Sequence, residues 1–231
     1  MRQSARFSAR QVSFAGVLGA ITVVLGCTPL GFIQIPPIAI TIMHVPTIIA
    51  GVMEGPVIGG IVGAMFGAFS MYQAQTAINP LDKLIFSNPV IALIPRILVG
   101  VVAHYVFVLA KGKRGNAIVA GVLAVFAGYT GYSLLGGLES ALRLAISLTI
   151  GALAGLAVDL VHKRLGHSPA LAAVAGSLTN TILVLGLIVA FGFIPAKVAL
   201  GIGLVNGIPE ATAAVILTGL VYRATSGLLK I

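Results

Sequence analysis

PVIALIPRILVGVVAHYVFVLA, residues 89–110, is an unbroken apolar run with one charge in it, Arg96. About 20 apolar residues suffice to cross the hydrocarbon of a bilayer as a helix. The run therefore reads as a membrane helix, and Arg96 as its informative exception. A charge at that depth costs at least ~2.5 kcal/mol even on the mildest scales. Such a residue faces a pocket, a water-filled path or a partner.

The same pattern repeats along the chain. Helices are expected near Ser13–Thr28, Ile38–Met53, Gly55–Met71, Pro89–Ala110, Ala117–Leu135, Ala141–Val161, Ala170–Phe191 and Val198–Tyr222. The chain is 58% hydrophobic and only 8% charged, with a mean hydropathy of +1.11. Soluble domains carry about 25% charged residues, so this chain has too little polar surface to cover a water-facing globule. That excludes soluble enzymes and DNA-binding folds and predicts an all-α integral membrane protein of about eight helices in one membrane domain, 1–231. The basic start MRQSARFSARQ resembles that of a signal peptide. No small-residue cleavage site leads from it to a soluble domain, so the first run reads as a retained helix. The lone cysteine, Cys27, rules out an intramolecular disulfide and reads as a small buried hydrophobe.

The net charge of +9 is spread among loops and fits orientation in a membrane better than nucleic acid. With the N-terminus inside, Arg2, Arg6, Arg10, Lys111, Lys113, Arg114, Lys163, Arg164, Arg223 and Lys230 fall on the inner side. Lys83, Arg96, Arg143 and Lys197 fall outside or at outer helix ends. This bias puts both termini in the cytoplasm. Two outer connections are unusual: LGFIQIPPIAI, with Pro36–Pro37, and YQAQTAINPLDKLIFSNP, with Tyr72, Gln73, Gln75, Asn79, Asp82 and Asn88. They read either as a lid over an outward-facing pocket or as solvated connectors. The third helix is glycine-dense at Gly59, Gly60, Gly63 and Gly67, and small residues at spacing four let helices approach closely in lipid.

Further polar residues interrupt the later helices. Glu210 and Asn206 lie one turn apart on one helix face. Pro209 between them removes a backbone donor from the carbonyl of Val205. Asn180 offers two donors and an acceptor in the seventh run. Each suits a polar pocket, and each also suits hydrogen bonding between helices. Arg96 could hold a carboxylate by two parallel hydrogen bonds or form an internal ion pair with Glu210. The histidines show no metal-ligand spacing, so neither a metal nor a cofactor is expected. No GxSxG elbow supports a hydrolase, and no GxxxxGK[ST] loop supports nucleotide hydrolysis by this chain. It is not expected to be an enzyme. A self-sufficient secondary transporter or channel is the competing class, but beyond Arg96 and Arg143, each opening an apolar stretch that ends in basic residues, no internal repeat is visible, and one deep acid is thin equipment for ion coupling.

IPPIAITIMHVPTIIAGVMEGPVIGGIVGAMFGAFSM resembles the second and third helices of the substrate-binding S components of energy-coupling factor (ECF) transporters. NPVIALIPRILVGVVAHYVF resembles their fourth, GSLTNTILVLGLIVAFG their fifth and VNGIPEATAAVILTGLV their sixth. The likeness covers about three quarters of the chain. The PP before ITIMHVP, the NP before helix four and IPR make it most similar to the pantothenate-type members. The resemblance implies a six-helix bundle in the plasma membrane of a prokaryote that captures a vitamin or related micronutrient, pantothenate first, from outside. It implies partners: a transmembrane scaffold subunit and two cytoplasmic ATPases. Substrate contacts are expected from Arg96, Asn180, Asn206, Glu210, Gln75 and Asn88. S components also carry a small-residue stripe on helix one toward the scaffold, here Ala15, Gly16, Gly19 and Ala20; packing against the protein's own helices is the other reading. The chain departs from the pattern between Lys113 and His167, where residues 113–167 read as an inserted helix pair.

Overall fold

The computed structural model describes residues 7–28, 31–35, 38–77, 80–111, 121, 124–125, 128, 132, 139–165 and 168–229. Among them run eight helices: α1 (Ala9–Cys27), α2 (Val45–Glu54), α3 (Pro56–Gln75), α4 (Pro80–Phe86), α5 (Pro89–Ala110), α6 (Ser140–Leu165), α7 (Ser168–Ala190) and α8 (Ala196–Leu229). A short hairpin, β1 (Phe32–Ile35) and β2 (Ile38–Thr41), lies between α1 and α2. The helices α1, α3, α5, α7 and residues 196–225 of α8 are long and apolar enough to cross a membrane. The chain is an all-α, multi-pass membrane protein with one two-stranded addition. It divides into two compact units, Met1–Tyr105 with Ala172–Ile231, and Val106–Leu171.

The hairpin corrects one expectation. The second helix was predicted to start at Ile38, yet Ile38–Thr41 pairs antiparallel with Phe32–Ile35, Ile35 opposite Ile38 and Phe32 opposite Thr41. The Ile42 amide continues the pairing to the Gly31 carbonyl at 3.0 Å. Proline removes a backbone donor and biases the preceding residue toward extended backbone, so Ile35, before Pro36, suits a strand. The β-branched run beyond it favours the same state. The helix proper begins after His44, with Pro46 in its first turn, where proline's missing amide costs nothing.

The expected polar loop after α3 is also shorter than the sequence suggests. Tyr72–Gln75 completes α3, and Pro80–Phe86 forms α4 with Asp82 in its first turn. The N-cap of α1 is built from Ser8 and Gln11, each bonding the other's backbone amide. At that end Arg10 pairs with Glu54, Nη2 to Oε1 at 2.7 Å, and ties α1 to the end of α2. Gly55, at φ +98°, then breaks α2 from α3; glycine adopts that angle without steric cost.

The glycine stripe of α3 acts as the spacing predicted. A Cβ at Gly59 would lie 2.7 Å from the Cα of Gly51 and 3.0 Å from Gly100. One at Gly63 would collide with the backbone carbonyl of Arg96, and one at Gly67 would lie 2.7 Å from the carbonyl oxygen of Ala92. Successive turns of α3 thus seat successive turns of α5, backbone to backbone. The position of Arg96 is set by the absence of side chains opposite it.

In the unit Val106–Leu171, the described residues of the expected fifth helix (Gly121, Ala124, Val125, Gly128 and Tyr132) are helical. The rest of that helix lies outside the described residues. A Cβ at Gly151 would be 2.7 Å from the Ala124 carbonyl oxygen, and one at Gly128 3.2 Å from that of Ser147. Glycines again let two helical segments meet closely.

Candidate functional site

In the first unit, the segment from β2 into α2 meets α5, α7 and α8. Gly176 of α7 takes the Ile48 side chain at 2.7 Å and Ala103 at 3.4 Å from where its Cβ would be. Gly203 and Gly207 of α8 lie against Leu185 and Thr181 of α7. Arg96 comes from α5, Ser177 and Asn180 from α7, Asn206 and Glu210 from α8, and His44 and Thr47 from the hairpin side.

Arg96 is 6% exposed. Pro95 has no amide to give the carbonyl of Ile91, one helical turn back. The Arg96 side chain supplies that missing donor, Nη1 to the Ile91 oxygen at 2.7 Å. The guanidinium sits over the rings of Phe66 and Phe86, 5.4 and 5.2 Å from their centroids, a favourable place for a cation. Its Nε is buried without a partner. Among the described residues no carboxylate lies within ion-pairing distance of it.

Glu210, 5% exposed, is therefore not the direct partner of Arg96. Its Oε1 accepts from the backbone amide of Thr41 at 3.0 Å. Its Oε2 lies 3.4 Å from the Thr181 hydroxyl. Glu210 thus fastens β2 to α8 and α7. Of the two readings left open for Arg96, the direct ion pair is the one the geometry removes.

The remaining polar groups are short of partners. Asn180, 6% exposed, and Asn206 each hold a buried side-chain oxygen without a donor. The hydroxyls of Thr47, Ser177 and Thr218 and both ring nitrogens of His44 are in the same condition. Buried polar atoms in folded proteins are overwhelmingly paired, so these orphans on α2, α5, α7 and α8 are side chains that the fold itself does not use.

Gln75 and Asn88 are placed differently. Gln75 is exposed and donates to the Ser87 hydroxyl at 3.0 Å. Asn88 accepts from the Val90 amide at 3.0 Å and so caps α5, the helix that carries Arg96. The stripe of α1 splits. Ala15 and Gly19 are buried, Gly19 directly against the Met65 side chain of α3, while Gly16 and Ala20 are exposed. Cys27, predicted buried, is exposed at the end of α1, since a helix terminus offers few neighbours to cover it. His44 was passed over in the sequence as a lone histidine.

The described residues thus form a multi-pass membrane fold with a buried cation and unpaired amide oxygens inside it. The family of ECF transporter substrate-specific components matches residues 10–146, and the chain belongs to that family. Over 83 residues it is 35% identical to the pantothenate transporter PanT of Leuconostoc mesenteroides subsp. mesenteroides, covering 36% of this chain and 40% of that one. Over 106 residues it is 32% identical to the pantothenic acid transporter PanT of Lactococcus lactis subsp. cremoris, covering 40% of this chain and 51% of that one. The chain spans about half the length, or less, of these curated relatives.

Proposed function

We propose that this chain is the substrate-capturing subunit of an ECF-type ABC importer in a prokaryotic plasma membrane. It binds a vitamin or related micronutrient from outside, with pantothenate the best fit. It then delivers the ligand together with a separate transmembrane scaffold and two cytoplasmic ATPases, and itself catalyses no reaction. The observation that carries the reading is the buried Arg96 guanidinium, which has no close carboxylate among the described residues, together with the unpaired polar atoms on α2, α7 and α8. Pantothenate has one carboxylate, an amide and hydroxyls. The carboxylate suits the open Nε side of Arg96. The side-chain oxygens of Asn180 and Asn206 suit the donors of the amide and hydroxyls. Glu210 holds the hairpin in place over the site, Asn88 fixes the start of α5, and Gln75 stands at the entrance. Both termini are cytoplasmic in this reading, which puts the hairpin outside, and residues 113–167 are a helix pair inserted into a six-helix core.

The test is mass spectrometry of the compound retained by the purified protein, with calorimetric titration of pantothenate. One ligand per chain is expected. Uptake is expected to vanish in a host lacking all ECF ATPases; uptake that persists there would establish a self-sufficient transporter instead.

The exposed pair on α1 yields a second expectation. Gly16→Leu and Ala20→Leu should abolish co-purification with the scaffold and leave the ligand affinity of the lone subunit within about 2-fold, because bulk on this face blocks a partner helix. Ala15→Leu and Gly19→Leu should instead destabilise the lone subunit, since both positions are occupied from within. Normal co-purification of the Gly16 and Ala20 variants would remove this face from the interface.

A further inference from the structure

His44 stands at the junction of β2 and α2 and is 0% exposed. Its carbonyl begins the helix, accepting from the Ile48 amide at 3.1 Å. Among the described residues its ring does nothing for the fold: it caps no helix, and neither nitrogen has a partner. His104 shows what a structural histidine looks like here, with Nδ1 3.0 Å from the Gly51 carbonyl oxygen of the neighbouring helix. Burying a polar group unpaired is costly, and an apolar side chain of similar size would avoid that cost. The fold therefore gains nothing from a histidine at this position.

α2 and α5 both run antiparallel to α3 and meet at Gly51 and Gly100, so His44 and Arg96, two turns and one turn before those glycines, lie toward the same end of the helix pair. The guanidinium has spent Nη1 on Ile91 and holds Nε unspent. A neutral imidazole carries one N–H. The site thus holds at least two unspent N–H donors, Nε of the guanidinium and the imidazole N–H, and a carboxylate has two oxygens with about four lone-pair sites to receive them. Thr47, one turn further along α2, adds an equally unpaired and fully buried hydroxyl.

We propose that His44 is a specificity-determining residue that recognises the carboxylate end of the substrate jointly with Arg96. This rests on the substrate-binding reading above and adds to it a residue and a role. The substrate class is a small monocarboxylic acid that also carries amide or hydroxyl donors for Asn180 and Asn206. Neutral analogues are rejected because the donors of His44 and Arg96 are left unpaired.

The experiment titrates purified wild-type, His44→Leu and His44→Gln proteins with two probes, pantothenate and its neutral alcohol counterpart panthenol. Unfolding of each ligand-free protein is followed in parallel. His44→Leu is expected to weaken pantothenate binding about 10- to 100-fold, the effect of losing one hydrogen bond to a charged group. Its panthenol affinity should move less than about 3-fold, and its ligand-free melting temperature should hold or rise, since an unpaired polar group has been removed. His44→Gln keeps an N–H and should recover part of the pantothenate affinity. Equal losses for both probes, unchanged pantothenate affinity, or a lowered ligand-free melting temperature without recovery in His44→Gln would each overturn the assignment. Wild-type protein that binds neither probe would overturn the pantothenate reading itself, and this outcome is seen before any variant is compared.

Discussion

Arg96→Met should fold and should lose pantothenate affinity by roughly 100-fold, about 3 kcal/mol, as expected when a charge-assisted pair of hydrogen bonds to a carboxylate is removed. The ligand-free protein should change little in stability. The substitution leaves the Ile91 carbonyl without its donor, but it also removes a desolvated cation from the interior, and these effects oppose one another. Arg96→Lys should recover little. An ammonium is a point charge without the planar fork, so it cannot serve Ile91 and turn a second donor toward the ligand in the same geometry. Calorimetric titration with thermal unfolding in detergent checks both variants. A folded Arg96→Met protein with unchanged affinity would take Arg96 out of the site.

The second large effect is expected on the opposite helix. Gly63→Ala places a methyl group on the backbone carbonyl of Arg96, and backbone cannot step aside as a side chain can. Overpacking of this kind costs about 3 kcal/mol, and it acts on the element that aims Arg96, so stability and ligand affinity should fall together. Gly60→Ala is the control. Its Cβ would meet Ile97 and Val101 side chains at 3.7 and 3.8 Å, ordinary contact, and alanine is the better helix former. It should be neutral or slightly stabilising. Equal melting temperatures for the two variants would show that the α3–α5 approach is looser than the glycine spacing implies.

Much of this architecture could be read from residue spacing. Apolar length located the spanning helices, because in hydrocarbon a backbone must satisfy its own hydrogen bonds and only long helices do so within one segment. The glycine period of α3 predicted a close neighbour, and α5 is that neighbour. The hairpin was hidden because IAITI is as apolar as the helix it precedes, and hydropathy does not distinguish a strand from a helix in a run that short. Asn88 illustrates a different limit. An asparagine before a proline at a helix start is a capping signal, yet the same amide also suits a ligand, and only placement shows that its oxygen serves the Val90 amide. His44 was invisible for a reason of the opposite kind: its distinction is the lack of any partner, which no sequence pattern displays.

The length of α8 has a mechanical consequence. Its 34 residues make a rod of about 51 Å at 1.5 Å per residue, against a hydrocarbon layer of about 30 Å. Tilting to about 40°, the upper end of what membrane helices show, still leaves it spanning about 39 Å along the normal. The helix cannot be contained, so part of it stands in the headgroup layer or in water. The same rod carries Asn206 and Glu210 and, through Glu210, holds the Thr41 amide of the hairpin. A push applied to its protruding part is therefore transmitted to Asn206, to Glu210 and to the strand beside it without passing through any other helix.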